Sequence, residues 1–586
     1  MSFIRTFQKR SLLLVLFVIC LAVCCLFGRI FYLMIPGSEQ LSAAAQELHE
    51  RERSIKAERG RIYDRNGLVL ADNMPVCTIS VIHNQITEPE EVIEVLSREL
   101  ELSEAYVRKR VEKYSSIETI RTNVEKETAD KIRAYELDGV MVDEDYRRFY
   151  PYGSLASKVL GFTGSDNQGI LGLEVKYDFW LKGENGKILT LATAHGVEIP
   201  DAAETMVTPV AGNSIKTSLD VVIQSYAEQA ALKVLEAKSA KSVSLIVMNP
   251  KNGELYALVN VPEYDLNHPY ELTELYTAGY TEEELTQEKK TELLNQMWRN
   301  SCISDTYEPG SAFKIITATA AFEHNVLSLN DGFYCPGYKI VADRRIRCHK
   351  TQGHGQQTFV DAIKNSCNPA FMEVGARLGI DQLYETFRVL GLFQKTGIDL
   401  PGESSSIMHK AENVGEVELA TISFGQSFQI TPLQLMSAVS TVVNGGTRIT
   451  PHFVTEIVNN AGVTIKTVDG IGETGVILEE TSEIMKQILE KVVSEGTGNN
   501  AYLEGMRIGG KTATSEKLPR SSNKYIASFV GFAPAEDPVV IAMVIIDEPE
   551  GLYYGGTIAA PVIAEVFDMI LPYLGVEPQI QEAETE

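Results

Sequence analysis

The chain has 586 residues, a formal net charge of −26 and 44% hydrophobic residues, enough apolar sequence for roughly two to four packed units. Such acidity argues against a nucleic-acid-binding role. Past the first ten residues no Lys/Arg block of the kind that tracks phosphates occurs apart from short runs such as Arg344-Arg345-Ile346-Arg347, which suits a local fold or an anionic substrate.

In chain order, residues 12–27 are apolar and residues 30–35 continue the run past Gly28-Arg29. About 20 such residues cross a bilayer. Arg5, Lys9 and Arg10 precede the run, so a single-pass anchor in the plasma membrane is expected, with a cytoplasmic N-terminus and everything after Pro36 outside. A cleaved signal peptide would need a small-residue site after the apolar core, and none follows; Val23 is too bulky for a lipoprotein site before Cys24. Residues 38–53 have the composition of an exposed helix, and residues 59–67 read as strand and turn. Acidic helical stretches alternate with short strands up to about Pro209, and residues 198–212 read as a linker. The expected division is therefore residues 1–35 as start and anchor, 36–210 as a first external module and 211–586 as a second. In the second, a helix is expected over 220–237, a hairpin over 242–248 and 254–259 around Asn249-Pro250-Lys251-Asn252-Gly253, a strand pair over 527–532 and 539–546, and an apolar helix over 559–571. Strands at both ends of a domain with a helical middle imply an α+β fold, one antiparallel sheet flanked by helices.

Three short motifs carry the chemistry. Ser311 and Lys314 stand at i and i+3, sharing a helix face, so the amine can take a proton from the hydroxyl. S-x-x-K alone also describes an ordinary helix with a Ser cap and a solvated Lys. Here Tyr307-Glu308-Pro309-Gly310 is a sharp turn presenting Ser311, and Ile315, Ile316, Ala318, Ala320, Ala321 and Phe322 make the helix that follows a buried one. A Lys one turn into such a helix needs a partner or a depressed pKa, and either suits a general base. Ser366-Cys367-Asn368 and Lys511-Thr512 follow in the order S-x-x-K, S-x-N, K-T.

On these motifs the chain resembles the class B penicillin-binding proteins, membrane-anchored D,D-transpeptidases of peptidoglycan synthesis. Arg59-Gly60, Asp64 to Gly67, Arg148-Phe149-Tyr150-Pro151, Gly172-Leu173-Glu174 and Tyr177-Asp178 match that family's non-catalytic dimerisation or pedestal module. Phe424-Gly425-Gln426, Thr431-Pro432-Leu433-Gln434, Asn444-Gly445-Gly446 and Gly496-Thr497-Gly498 match its transpeptidase domain. The resemblance implies that Ser311 attacks a D-Ala-D-Ala stem peptide with Lys314 activating it, that Ser366 relays the proton, and that Asn368 binds the peptide amide. It implies that Lys511 and Thr512 hold the substrate carboxylate and that the N–H groups of Ser311 and Thr514 form the oxyanion hole. β-Lactams would acylate the same serine. A glycosyltransferase and other cell-wall proteins are the implied partners, and the chemistry needs no cofactor. One departure is Ala513, where the family's K-T-G has glycine; altered β-lactam affinity is expected from the added methyl. A β-lactam receptor and a membrane-anchored cell-wall scaffold are the competing functions, and complementation by Ser311→Ala separates scaffold from enzyme.

Of eight cysteines, Cys20, Cys24 and Cys25 fall in the apolar span and Cys77 and Cys302 are isolated. Cys335, Cys348 and Cys367 lie between the first two motifs and inside the second, with His349 and His354 among them. Cys335, Cys348 and His354 supply ligands for a structural zinc, with Cys367, His349 or an Asp as the fourth; a Cys335–Cys348 disulfide and free thiols are the alternatives. The cysteine pair with His354-Gly355 resembles the sporulation-type branch of the family.

Overall fold

The computed structural model describes residues 2–35, 50–115, 117–191, 205–470 and 472–578. The first element is the helix Ser2–Met34, whose stretch Leu13–Met34 is long and apolar enough to cross a membrane and is unburied among the described residues. A second apolar run, Gly555–Tyr573, passes the same length test but is more than half buried, which marks it as a core helix.

Beyond the apolar helix the chain packs as two compact units that do not follow chain order. The first takes residues 74–147 and 184–210 together with the N-terminal segment up to Glu58. In it Glu50–Ile55 pairs antiparallel with Gly186–Leu191, which pairs in turn with Thr205–Val207. Two expectations change here. The helix expected over 38–53 lies outside the described residues as far as 49, and its last residues are strand. Of the linker expected over 198–212, residues 198–204 lie outside the described residues and 205–207 are the sheet's third strand. Their sequence, Thr205-Met206-Val207, is short but β-prone, and the period was too brief to register. The rest of this unit folds the end of strand Val69–Val81 against Glu118–Val124 and covers it with the helices Pro89–Glu99, Glu104–Val111 and Lys126–Arg133. Pro89 at the first turn, Glu90 and Glu91 behind it and Arg98 in the last turn suit the helix ends, while Val92, Ile93, Val95 and Leu96 supply its buried face.

The second unit takes residues 59–73, 148–183 and 211–586. Its centre is a five-stranded antiparallel sheet in the order Leu255–Val261, Ser242–Met248, Val540–Asp547, Tyr525–Ala533, Gly509–Glu516. The period of two sorts the side chains: Val243, Leu245 and Val247 face the helices Val221–Ala237 and Ala560–Tyr573, while Ile246 and Met248 join the core on the opposite face. That second face is covered by the helices Lys314–Glu323, Asn368–Val389, Pro432–Val443 and Glu479–Ser494. Helices on both faces of one antiparallel sheet are the α+β arrangement expected.

Arg59, Arg148, Glu174, Tyr177 and Asp178, all in the expected pedestal motifs, form the polar core of the segments 59–73 and 148–183. Arg59 and Arg148 each lie 2.6 Å from one oxygen of the buried Glu174, Arg59 reaches Asp178 at 2.7 Å, and Tyr177 donates to Asp399 at 2.9 Å. Burial alone would raise the Glu174 carboxyl; the two guanidinium groups win and hold it below the usual range. Removing one member of so dry a network would strand a charge, which is far costlier than losing a surface pair.

Candidate active site

Ser311 sits in the single 3₁₀ turn Gly310–Phe313, which runs into the helix Lys314–Glu323. The tighter turn places the hydroxyl at the mouth of the helix with its side chain partly exposed, while Lys314 one turn on is fully buried. Two glycines make that turn possible. Gly310 and Gly425 both have positive φ, the Gly310 N–H donates to the Gly425 carbonyl at 2.9 Å, and a Cβ at Gly425 would overlap the Gly310 carbonyl.

Lys314 Nζ is the hub. It lies 3.2 Å from Ser311 Oγ, 2.7 Å from the Ser366 carbonyl, 3.2 Å from Ser366 Oγ and 2.8 Å from Asn368 Oδ1. Among the described residues no carboxylate accompanies these neutral partners, and burial pushes the amine down to about 8. Lys511 Nζ approaches Ser366 Oγ at 3.0 Å from the other side and touches the Thr512 carbonyl at 3.2 Å. Burial first, and the nearby Lys314 second, lower its pKa as well. Two buried amines flanking one hydroxyl cannot both hold a proton cheaply. An incoming anion beside Lys511 would favour its charged form.

Ser366 owes its position to the way two helices join. The helix Phe359–Lys364 starts in a Thr358/Asp361 capping box, and past its end the Ser366 N–H donates to the Ile363 carbonyl at 3.0 Å and the Cys367 N–H to the Ala362 carbonyl at 2.8 Å. That bond pair is a Schellman motif, whose left-handed position is usually glycine; here Ser366 fills it at φ +53°. Asn368 then opens the helix Asn368–Val389, with Pro369 preset for its first turn. The left-handed kink turns the Ser366 hydroxyl toward both lysines.

Lys511, Thr512 and Thr514 lie on Gly509–Glu516, the edge strand, whose outer side has backbone groups without a sheet partner. Lys511, Ala513 and Ser515 alternate onto the face turned toward the Ser311 turn. The Thr512 hydroxyl donates to Thr497 Oγ1 at 3.2 Å, and the Thr514 hydroxyl accepts from the Gly555 N–H at 3.0 Å. Ala513 is buried, and a Cβ on Gly555 would overlap its carbonyl, so this strand segment is held tightly from behind. Sequence reasoning missed Gly555, which nothing in its local pattern marks. It also missed Glu308, whose buried carboxylate accepts from the Ser427 N–H at 2.8 Å and from Arg520 at 3.2 Å, tying the turn before Ser311 to the loop after the edge strand.

The sulfur ligands converge beside this site. Strand Gly332–Cys335 pairs with Gly355–Thr358, setting Cys335 opposite Gly355 and next to His354; the hairpin Tyr338–Val341/Arg344–Arg347 ends at Cys348; Cys367 precedes the Asn368 helix. The ligand atoms of Cys335, Cys348, His354 and Cys367 all lie within 4.8 Å of one another, and no disulfide joins these three cysteines. Thiolates on a tetrahedral zinc stand about 3.8 Å apart, a spacing this cluster can close to with small shifts. The Cys367 thiol donates to Cys348 and holds it far below the usual thiol range, while Cys367 itself is pushed up; burial lowers His354, which favours the neutral form a ligand requires. His349 reaches Cys348 Sγ at 3.8 Å but is not one of the four mutually close groups.

Residues 243–568 match the penicillin binding protein transpeptidase domain, and residues 54–217 match the penicillin-binding protein dimerisation domain. Stage V sporulation protein D of Bacillus subtilis (strain 168) is 40% identical over 99% of this chain and 88% of its own length. The peptidoglycan D,D-transpeptidase FtsI of Escherichia coli (strain K12) is 27% identical over 96% and 91%. Among solved structures, a peptidoglycan synthetase from Bifidobacterium adolescentis superposes with a TM-score of 0.72 at 21% identity, covering 91% of this chain and 98% of that one. Penicillin binding protein 3 from Mycobacterium tuberculosis, complexed with aztreonam, superposes at 0.66 and 22%, covering 90% and 99%.

Proposed function

This chain belongs to the class B penicillin-binding proteins, and from that membership we propose the following division of labour in a peptidoglycan D,D-transpeptidase that β-lactams acylate. Neutral Lys314 Nζ takes the proton of Ser311 Oγ as the oxygen bonds to the carbonyl carbon of the penultimate D-Ala. The oxyanion so formed accepts from the backbone N–H groups of Ser311 and Thr514, a donor pair whose loss typically costs a few kcal/mol. Ser366, held between both lysines, passes a proton to the departing amine as the C–N bond breaks and free D-Ala leaves. Asn368 orients the peptide amide. Lys511 and Thr512 bind the terminal carboxylate, a charge-assisted contact. An amine from a neighbouring strand then attacks the acyl-Ser311 ester, its proton returns through the same groups, and the cross-link is made.

The observation that carries this reading is the single buried amine within 3.2 Å of both Ser311 Oγ and Ser366 Oγ. Intact mass after penicillin exposure tests it: one adduct on Ser311 is expected, and unmodified protein would refute it.

Residues 36–210 act as the pedestal and 211–586 as the transpeptidase domain in this reading. The apolar helix anchors the chain in the membrane; the charges before Leu12 support a cytoplasmic N-terminus with Ser311 outside. The 40% identity with a stage V sporulation protein supports the sporulation branch. A glycosyltransferase would supply the strands to be joined. Cys335, Cys348, His354 and Cys367 hold a structural zinc that fixes the Ser366 loop, and the convergence of four sulfur and imidazole ligands supports it over a lone Cys335–Cys348 disulfide.

A further inference from the structure

One surface remains unused by this mechanism. The hairpin Tyr338–Val341/Arg344–Arg347 pairs Tyr338 with Arg347 and Ile340 with Arg345, and directly opposed residues share a face. On its inner face Val341 and Ile346 pack on the core, Lys339 reaches Glu373 at 3.5 Å and Arg344, at the turn, is exposed. On the outer face Arg345 stacks on the Tyr338 ring at 3.7 Å, Ile340 is 65% exposed, and Arg345 and Arg347 have no carboxylate partner among the described residues. In a chain of net charge −26, such a pair of exposed guanidinium groups, one of them stiffened by an aromatic platform, stands against the overall field.

The position of the face matters as much as its charge. Asn368 Nδ2 donates to the Arg347 carbonyl at 3.4 Å while Asn368 Oδ1 accepts from Lys314 at 2.8 Å. The backbone of Arg347 is thus linked to the nucleophile through one asparagine and one lysine. The hairpin is also anchored below, where the Cys348 N–H donates to the Gly337 carbonyl at 2.9 Å and Cys348 joins the buried sulfur cluster.

We propose that Arg345 and Arg347 form a specificity subsite that binds carboxylates borne along the stem peptide, away from its D-Ala-D-Ala end. The proposal rests on the transpeptidase reading, because the occupant it names is that reaction's own substrate. Lys511 captures the terminal carboxylate on the sheet side of Ser366; the hairpin offers a second cationic contact on the Asn368 side. Guanidinium groups suit planar, bidentate carboxylate recognition, and a stacked Arg345 loses less freedom on binding than a free one. Peptides whose side carboxylates are amidated would lose this contact and keep the first.

The test uses the full chain in detergent, with active sites titrated by penicillin so that only folded protein is counted. KM is measured for a soluble peptide ending in D-Ala-D-Ala with a free internal carboxylate and for its carboxamide, with water as acceptor. A second series places the same pair of groups on the acceptor amine peptide. Two exposed ion pairs should give the free acid an advantage in KM of about tenfold in one series. Arg345→Gln with Arg347→Gln should reduce that advantage to about one, and Arg345→Lys with Arg347→Lys should retain only part of it, because an ammonium keeps the charge but loses the bidentate and stacked geometry. The series in which it collapses identifies donor or acceptor strand. A wild-type protein indifferent to the carboxylate in both series, or a glutamine variant that keeps the preference, overturns the subsite. Absence of a penicillin adduct on wild-type Ser311 would instead overturn the underlying reading, whatever the hairpin does.

Discussion

Ser366 occupies the left-handed C′ position of a Schellman motif, where a side chain costs roughly 1 kcal/mol relative to glycine. Among the described residues its hydroxyl is also the only one shared by Lys314 and Lys511. Ser366→Gly should relieve that strain of about 1 kcal/mol but take a partner from two buried amines, so the melting temperature should rise less than the strain alone implies or fall, while penicillin acylation slows by about 10²-fold, the ordinary worth of a proton-transfer group. A variant that is both stabler and fully active would show that the hydroxyl is dispensable. For Lys314 the sign of the pH effect follows from its role. As the proposed base Lys314 works uncharged, and burial lowers its pKa to about 8, so acylation should climb with pH below that value and level off above it. Ser311→Ala should abolish the adduct, and Lys314→Ala should slow it by about 10²-fold or more. These residues were legible because their spacing is local and chemical. What no spacing reveals is that Ser366 is backbone-strained or that Lys314 has four oxygen partners, since both arise from the meeting of separate helices.

At the scale of elements, the sheet was readable where strands alternate strongly or run apolar: the expected strands 242–248 and 539–546 fall within a residue of Ser242–Met248 and Val540–Asp547. The helix expected over 220–237 is Val221–Ala237, its Asp220 cap accepting from the Val222 and Ile223 N–H groups. Short polar strands escaped. Glu50–Ile55 is a run of charged residues that becomes strand only because Gly186–Leu191 pairs with it, a tertiary override of propensity. The Gly310/Gly425 contact was likewise hidden, since over a hundred residues separate two glycines that each look like ordinary loop. Gly425→Ala combines a positive φ with overlap onto the Gly310 carbonyl, so it should destabilise by roughly 1–3 kcal/mol and slow acylation by misplacing Ser311. Unchanged melting and unchanged labelling would show that the turn tolerates repacking.

For the whole molecule, the anchor and the sulfur cluster make separable predictions. Protease added to intact protoplasts should remove the transpeptidase domain; a domain protected until lysis would reverse the assigned orientation. Purified protein should carry about one equivalent of zinc, and a strong chelator should lower its melting temperature, because metal affinity at such a site is folding free energy. Metal-free protein whose melting falls with reductant would favour a disulfide instead. The edge strand has a consequence of a different kind. A guest laid along Gly509–Glu516 is gripped by main-chain amides, which repeat every residue and are blind to side chains, so by itself the strand would let a peptide slip from one register to the next. In its proposed role Lys511 breaks that translational degeneracy, since the terminal carboxylate stands at one fixed distance from the bond to be cut. The enzyme would then measure from the end of its substrate, cutting at a fixed distance from the last residue whatever the sequence before it.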